Sequence, residues 1–301
     1  MRFTQKMSAS LLLATGCLLT IVASIQVQRN LNWERAMEDL AIEGEDVAGT
    51  ELTDVEGGRS LKLKITHVDL DRQDPEREIY LYTILYRDRV SKQWQNYCQP
   101  VRVADEIALR EPQRAFHQAA SPLGNRDNVA KAIPLSGSWD RTGKHHENGR
   151  ITFACTNGVL AKCVRFGYKP WKTVQGRSLR DFHQACTRMV RADYCGNGRA
   201  HTKDGTAIDI YDRLSIQTRT PHSGMILEAA WSPDGAVFIK RTRWPESLAQ
   251  IEQECPDRLK SPVHNSLAQP LLWRIAPTAI PQQLSEVLLV NDSFNRIRSR
   301  L

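Results

Sequence analysis

The chain has 301 residues, of which 41% are hydrophobic and 25% charged, enough apolar material for one large or two modest packed domains. Its 41 Lys and Arg exceed 34 Asp and Glu, giving a net charge of +7. The two signs are interleaved without a basic block, which argues against a nucleic-acid partner and leaves room only for mild attraction to anionic envelope polymers or lipid headgroups.

Arg2 and Lys6 precede an uncharged apolar run from Ser8 to about Val27, the layout of an export signal. Small residues near Ala23 offer a cleavage site. The run is also about 20 residues long, enough to stay as a membrane-spanning helix. Residues 1–28 are therefore expected to be a signal peptide or an N-terminal membrane anchor, and either places the remainder outside the cytoplasm. Cys17 follows Leu13-Ala14-Thr15-Gly16, but the apolar residues after it speak against lipidation.

Residues 29–48 form a short helical lead-in or linker, with Trp33, Met37 and Leu40 at helical spacing. A β-rich part follows over 49–150. Leu61–Val68 alternates apolar and polar residues, and Ile79–Tyr86 is rich in aromatic and β-branched side chains. Asp71–Pro75 turns the chain between them, and a short strand is expected from Trp94 to Cys98. Residues 106–149 read as loop-rich, with a brief apolar piece at Ala130–Leu135 and an exposed turn at Lys144–Gly149.

A cysteine-rich core is expected over 151–260. It begins with a strand, Ile151–Cys155, and a helix, Val159–Phe166, closed by Gly167 and blocked by Lys169-Pro170. Ser178 then caps a stronger helix whose stripe is Leu179, Phe182, Cys186, Met189 and Val190; Arg180, Arg188 and Arg191 point away. A glycine loop, Cys195–His201, leads to a strand at Thr206–Tyr211. Met225–Trp231 and Ala236–Thr242 flank Ser232-Pro233-Asp234-Gly235 as a hairpin. Pro245 opens a last helix carrying Leu248, Ile251 and Cys255. Residues 261–301 are a Pro-punctuated tail, with a candidate helix at Gln282–Leu289 and a basic, polar end.

Cys98, Cys155, Cys163, Cys186, Cys195 and Cys255 are even in number and suit three disulfides among 15 possible pairings. Their gaps are too wide for the paired ligands of a structural zinc site. Cys186 points into the core and Cys195 lies past the helix end, so the two are placed to join different partners. The fold class expected is α+β: antiparallel strands and hairpins with a few short helices, stapled by disulfides.

Phe182–Gly196 contains the tetrapeptide Ala192-Asp193-Tyr194-Cys195 and resembles the ADYC domain family of exported bacterial proteins. Ala161–Trp171 and His201–Gly205 are similar to that family as well, so the resemblance covers about 98–255. It implies export and a single cysteine-linked domain. It brings no reaction and no catalytic residue.

Polar residues near the glycine loop are the candidates for chemistry. His201, His183, Asp193 and Asp209 include the imidazole and carboxylate types that general acid–base catalysis requires. Tyr194 reads as a packed ring and Asp204 as a turn former. Arg188, Arg191 and Arg199 could hold an anionic sugar, carboxylate or phosphate through paired hydrogen bonds. Trp171, Trp231 and Trp244 would favour polymer or carbohydrate binding if exposed, and core packing if buried. No nucleophile elbow, dinucleotide fingerprint or phosphate loop occurs, and His183, His201 and Asp209 lack metal-site spacing, so no cofactor or metal is expected. The functional expectation is a non-catalytic envelope or extracellular binding module engaging an anionic envelope polymer or another envelope protein. The alternative is a secreted hydrolase using His201 with a nearby carboxylate.

Overall fold

The computed structural model describes residues 48–49, 51–56, 59–99, 130–259 and 286–294. The export segment with Cys17, the lead-in up to residue 47 and most of 261–301 lie outside these residues.

The architecture is α+β. Strands β1 (Glu51–Glu56), β2 (Arg59–Leu70), β3 (Tyr80–Arg87), β5 (Ala132–Trp139) and β6 (His145–Cys155) form an antiparallel sheet in that order, and β4 (Trp94–Asn96) also pairs with β3. Two helices follow, α1 (Val159–Arg165) and α2 (Leu179–Arg191), with the short ribbon β7 (Thr173–Val174) and β8 (Arg177–Ser178) between them. A second sheet has the order β11 (Gly235–Ile239), β10 (Ile226–Ser232), β12 (Leu289–Ser293) and β9 (Ile208–Asp212). A 3-10 turn at Pro245–Ser247 leads into α3 (Leu248–Glu254).

Strand periodicity decides which side chains meet. In β3, Leu81 joins a core shared with the helices, whereas Tyr82, Ile84 and Tyr86 turn to a second cluster with Ile65 and Phe153. The shared core also takes Ile133 and Leu135 of β5, the stripe of α2, and Trp231 and Ile239 of the second sheet. One apolar interior thus binds both sheets to the two helices. Ser178 caps α2 by accepting the Arg180 amide N–H, and the buried Ala192 ends it in the left-handed region at φ 51°.

Three disulfides connect these parts. Cys98–Cys155 ties the chain after β4 to the end of β6, Cys163–Cys186 ties α1 to α2, and Cys195–Cys255 ties the loop after α2 to the end of α3. Cys186 and Cys195 do take different partners. Removing such a bridge from a small domain typically costs about 2–5 kcal/mol.

Two segments differ from the sequence expectation. The loop-rich stretch before 150 contains β5 and the first half of β6, so Lys144–Gly149 is mostly strand and not simply an exposed turn. Gly137 allows a register shift between Ser136 and Ser138, and β5 is paired on its β3 side only at Ala132, an edge-like setting that Pro134 tolerates. The tail supplies β12, an interior strand beginning at Leu289 where the candidate helix was to end. Its polar residues are buried because each has a partner: Asn291 accepts the Trp231 indole N–H at 2.8 Å, Asp292 the Tyr211 hydroxyl at 3.0 Å, and Ser293 donates to Glu228 at 2.5 Å.

Candidate functional site

The segment after α2 is held from every side. Asp193 is fully buried; its Oδ2 pairs with Arg188 at 2.6 Å and accepts the Gly198 amide N–H at 3.0 Å. Tyr194 stacks on Trp231 with ring centroids 5.3 Å apart, donates its hydroxyl to Glu228 at 3.1 Å and accepts the Arg243 amide N–H at 2.7 Å. Glu228 in turn takes the Arg243 guanidinium through Nε and Nη2. The Tyr194 carbonyl accepts the Ala236 amide of the hairpin, and Cys195 is bridged to Cys255. The Glu228–Arg243 pair has its remaining acceptor positions filled by the Tyr194 and Ser293 hydroxyls, which offsets the cost of burying the two charges.

The glycine loop is a packed junction. A Cβ on Gly196 would lie 2.0 Å from the Asp234 carbonyl oxygen, and one on Gly198 2.5 Å from that of Arg141. Gly196 and Gly198 also have φ of 70° and 88°, so both conformation and close approach require glycine.

Arg188 does not point to solvent: it is 2% exposed, donating to the carbonyls of Thr142 and Pro233 and pairing with Asp193. Arg191 donates to the Gly198 carbonyl at 2.5 Å. Arg199 is exposed and pairs with Glu254 at 3.1 Å. The three arginines are therefore not presented together as an anion-binding face.

The acid–base candidates are equally dispersed. His183 is buried in the helix interior, donating from Nε2 to the Leu160 carbonyl at 3.0 Å, and burial lowers its pKa to about 4. Asp209 accepts the amide and hydroxyl of Thr220, each at 2.8 Å. His201 is 8% exposed beside the Tyr194 ring; its Nε2 and Asp193 Oδ1 are buried without a hydrogen-bond partner. Burial lowers the His201 pKa, against the opposing charges of Glu254 and Asp193. Asp204 is exposed at the turn of 204–205. Among the described residues no group of three or more His, Cys, Asp or Glu could hold a metal ion.

A different surface carries an aromatic side chain outward. Lys169-Pro170-Trp171-Lys172 is a β-turn, closed by the Lys172 N–H to the Lys169 carbonyl at 3.0 Å, with proline at its favoured second position. Trp171 is 46% exposed at its tip. Both lysines of the turn are fixed to the β2–β3 loop. The Lys169 ammonium, only 2% exposed, reaches Asp74 at 2.9 Å, Glu76 at 2.5 Å and Glu78 at 3.1 Å; Lys172 reaches Glu76 at 2.9 Å and Glu78 at 2.7 Å. Burial alone would favour neutral Lys169, but the hydrogen bonds that its ammonium donates to Glu76, Asp74 and Glu78 outweigh it and raise its pKa.

Trp171 lines a small, open surface depression together with Tyr80, Tyr82, Ile133, Pro134 and Glu78. Of the three tryptophans singled out from the sequence, Trp231 is buried and Trp244 is half-buried beneath the Lys203 ammonium at 3.6 Å. The sequence reading stopped at Lys169-Pro170 as a helix terminator. Pro170 between two lysines is itself a turn signal, but the partners of Lys169 lie 91 to 95 residues away, and no local pattern announces them.

A family model described as the ADYC domain matches residues 44–245. The chain belongs to the ADYC domain family. Within this ADYC domain lie the Asp193 and Tyr194 networks, the Trp171 turn and its carboxylate partners; Cys255, α3 and β12 fall beyond the matched residues. Comparison with curated proteins and with solved structures gave no match. No helix among the described residues is long and apolar enough to cross a membrane.

Proposed function

We propose that this ADYC domain protein is exported and acts as a non-catalytic binding module in the envelope or outside the cell, meeting an envelope polymer or another envelope protein through the Trp171 turn. The apolar, uncharged N-terminal run and three disulfides support an oxidising compartment. The observation that carries the binding reading is Trp171: a large aromatic ring, 46% exposed, on a turn whose flanking lysines are both tied down by carboxylates. A pre-positioned ring loses little freedom on contact, which is how aromatic anchors gain affinity.

The arginine surface first considered has less support, since Arg188 is buried. The hydrolase reading rests on the unpartnered Nε2 of His201, with no carboxylate hydrogen-bonded to it. Retention of the purified full chain on isolated envelope material is the test. The wild type is expected to be retained and Trp171→Ala to lose at least tenfold in affinity, with Arg199→Glu unchanged. Absence of retention by the wild type would overturn the reading.

A further inference from the structure

We infer that the Cys195–Cys255 bridge is a redox latch, which a dithiol donor opens in the folded protein to free the arm from the Pro245 turn through Leu259. The inference goes beyond the binding-module reading and does not depend on it. Accessibility sets this bridge apart. Cys98, Cys155, Cys163 and Cys186 are 6%, 3%, 0% and 0% exposed, whereas Cys195 and Cys255 sit half-buried at the edge of the shared core. Thiol–disulfide exchange requires a thiolate to reach a sulfur, so the half-buried bridge is the one a donor meets. Cys195–Cys255 alone among the three also runs from the matched domain, residues 44–245, to a cysteine beyond it.

Other contacts hold the arm lightly. α3 buries only Ile251, and Leu259 packs partly against the core. Glu254 reaches Asn197 and Arg199, and Glu246 reaches Lys203, through solvent-accessible side chains whose attraction water and salt weaken. Arg258 adds hydrogen bonds to the carbonyls of Ala236 and Asp234. The domain on the other side has fastenings of its own. Arg243, just before the arm, is 1% exposed and donates to Glu228 and to the carbonyls of Met189 and Val190, while Cys163–Cys186 joins α1 to α2 inside the core. Motion therefore begins beyond Arg243. It frees Asn197 and Arg199 of the glycine loop and the Asp234 and Ala236 carbonyls of the hairpin, so the surface beside the tetrapeptide depends on redox state.

The exchange balances within the donor and the bridge. A donor thiol gives up its proton and its sulfur attacks one bridge sulfur; the Cys195–Cys255 bond breaks and the other sulfur leaves as a thiolate that takes up a proton. The second donor thiol, losing its proton, attacks the mixed disulfide and displaces the first cysteine, which is protonated in turn. Two electrons and two protons pass to the bridge, and the donor departs as a disulfide. In an oxidising compartment the latch rests closed until such a donor is delivered.

The test is stepwise reduction of the native full chain with dithiothreitol, followed by alkylation, mass mapping and amide hydrogen exchange. A species alkylated only at Cys195 and Cys255 is expected. Its amides over 245–258 should exchange at least tenfold faster than in the bridged protein, with those of α2 unchanged, and reoxidation should restore the slow rate. The double variant Cys195→Ser/Cys255→Ser is expected to fold, by circular dichroism, and to show the same fast arm without reductant. Opening of either other bridge first, or of all three together, would overturn the latch. So would a reduced protein whose arm exchanges as slowly as before, or a double variant that does not fold, since the domain must outlast its bridge.

Discussion

Glu228 is a fully buried carboxylate whose two oxygens are shared among the Arg243 guanidinium, the Tyr194 hydroxyl and the Ser293 hydroxyl. Taking away one partner of such a pair leaves a charge without water or counter-charge. Arg243→Met is therefore expected to cost about 3–5 kcal/mol in urea unfolding; a loss below about 1 kcal/mol would mean that Glu228 is rehydrated. His183 gives a pH signature. Its folded pKa of about 4 lies below the ordinary imidazole value of 6.5, so the unfolded chain binds more protons between these values. The contribution is complete above about pH 6.5 and is lost as pH falls to about 4, on the order of 3 kcal/mol. His183→Gln should flatten the stability curve across that window relative to wild type, whatever its absolute stability; parallel curves would contradict the buried neutral imidazole.

Among the helices, α3, reached through the Pro245 turn, is the most lightly packed, with Ile251 as its one buried residue. Its hold on the loop after α2 comes from Cys195–Cys255, from Glu254 to Asn197 and Arg199, and from Glu246 to Lys203. Cys195 and Cys255 are half-buried, whereas the other four bridged cysteines are buried. Limited reduction of the native protein should expose Cys195 and Cys255 to thiol labelling first; earlier labelling of Cys163 or Cys186 would contradict this packing. Helices α1 and α2 were legible because stripe, cap and terminator agree at Ser178 and Gly167, and the hairpin because Ser232-Pro233-Asp234-Gly235 is strong turn chemistry. Strand β12 was not legible: Asn291, Asp292 and Ser293 look like surface residues until Trp231, Tyr211 and Glu228 are brought to them from distant sequence. Arg188 misled for a related reason, since its helical position lies off the apolar stripe yet faces the turns at Thr142 and Pro233. At the surface depression, the value of Trp171 could be stated only conditionally, because exposure and the carboxylate mount are properties of the folded chain.

Across the whole molecule, the tetrapeptide and its surroundings act as a joint between α2, the β10–β11 hairpin and the α3 arm. The side chains that drew attention as catalysts are mostly engaged in that joint or in the helix interior. The Trp171 ring, by contrast, faces outward on a turn fixed by five ion-pair contacts. The most direct test of this account follows the indole N–H signals of the seven tryptophans by NMR, with Trp171 assigned through Trp171→Phe, as soluble fragments of envelope polymer are added. The Trp171 signal is expected to shift selectively and saturably while that of buried Trp231 stays in place; a saturable shift confined to Trp244 or Trp139, or none at Trp171, would contradict binding at this turn.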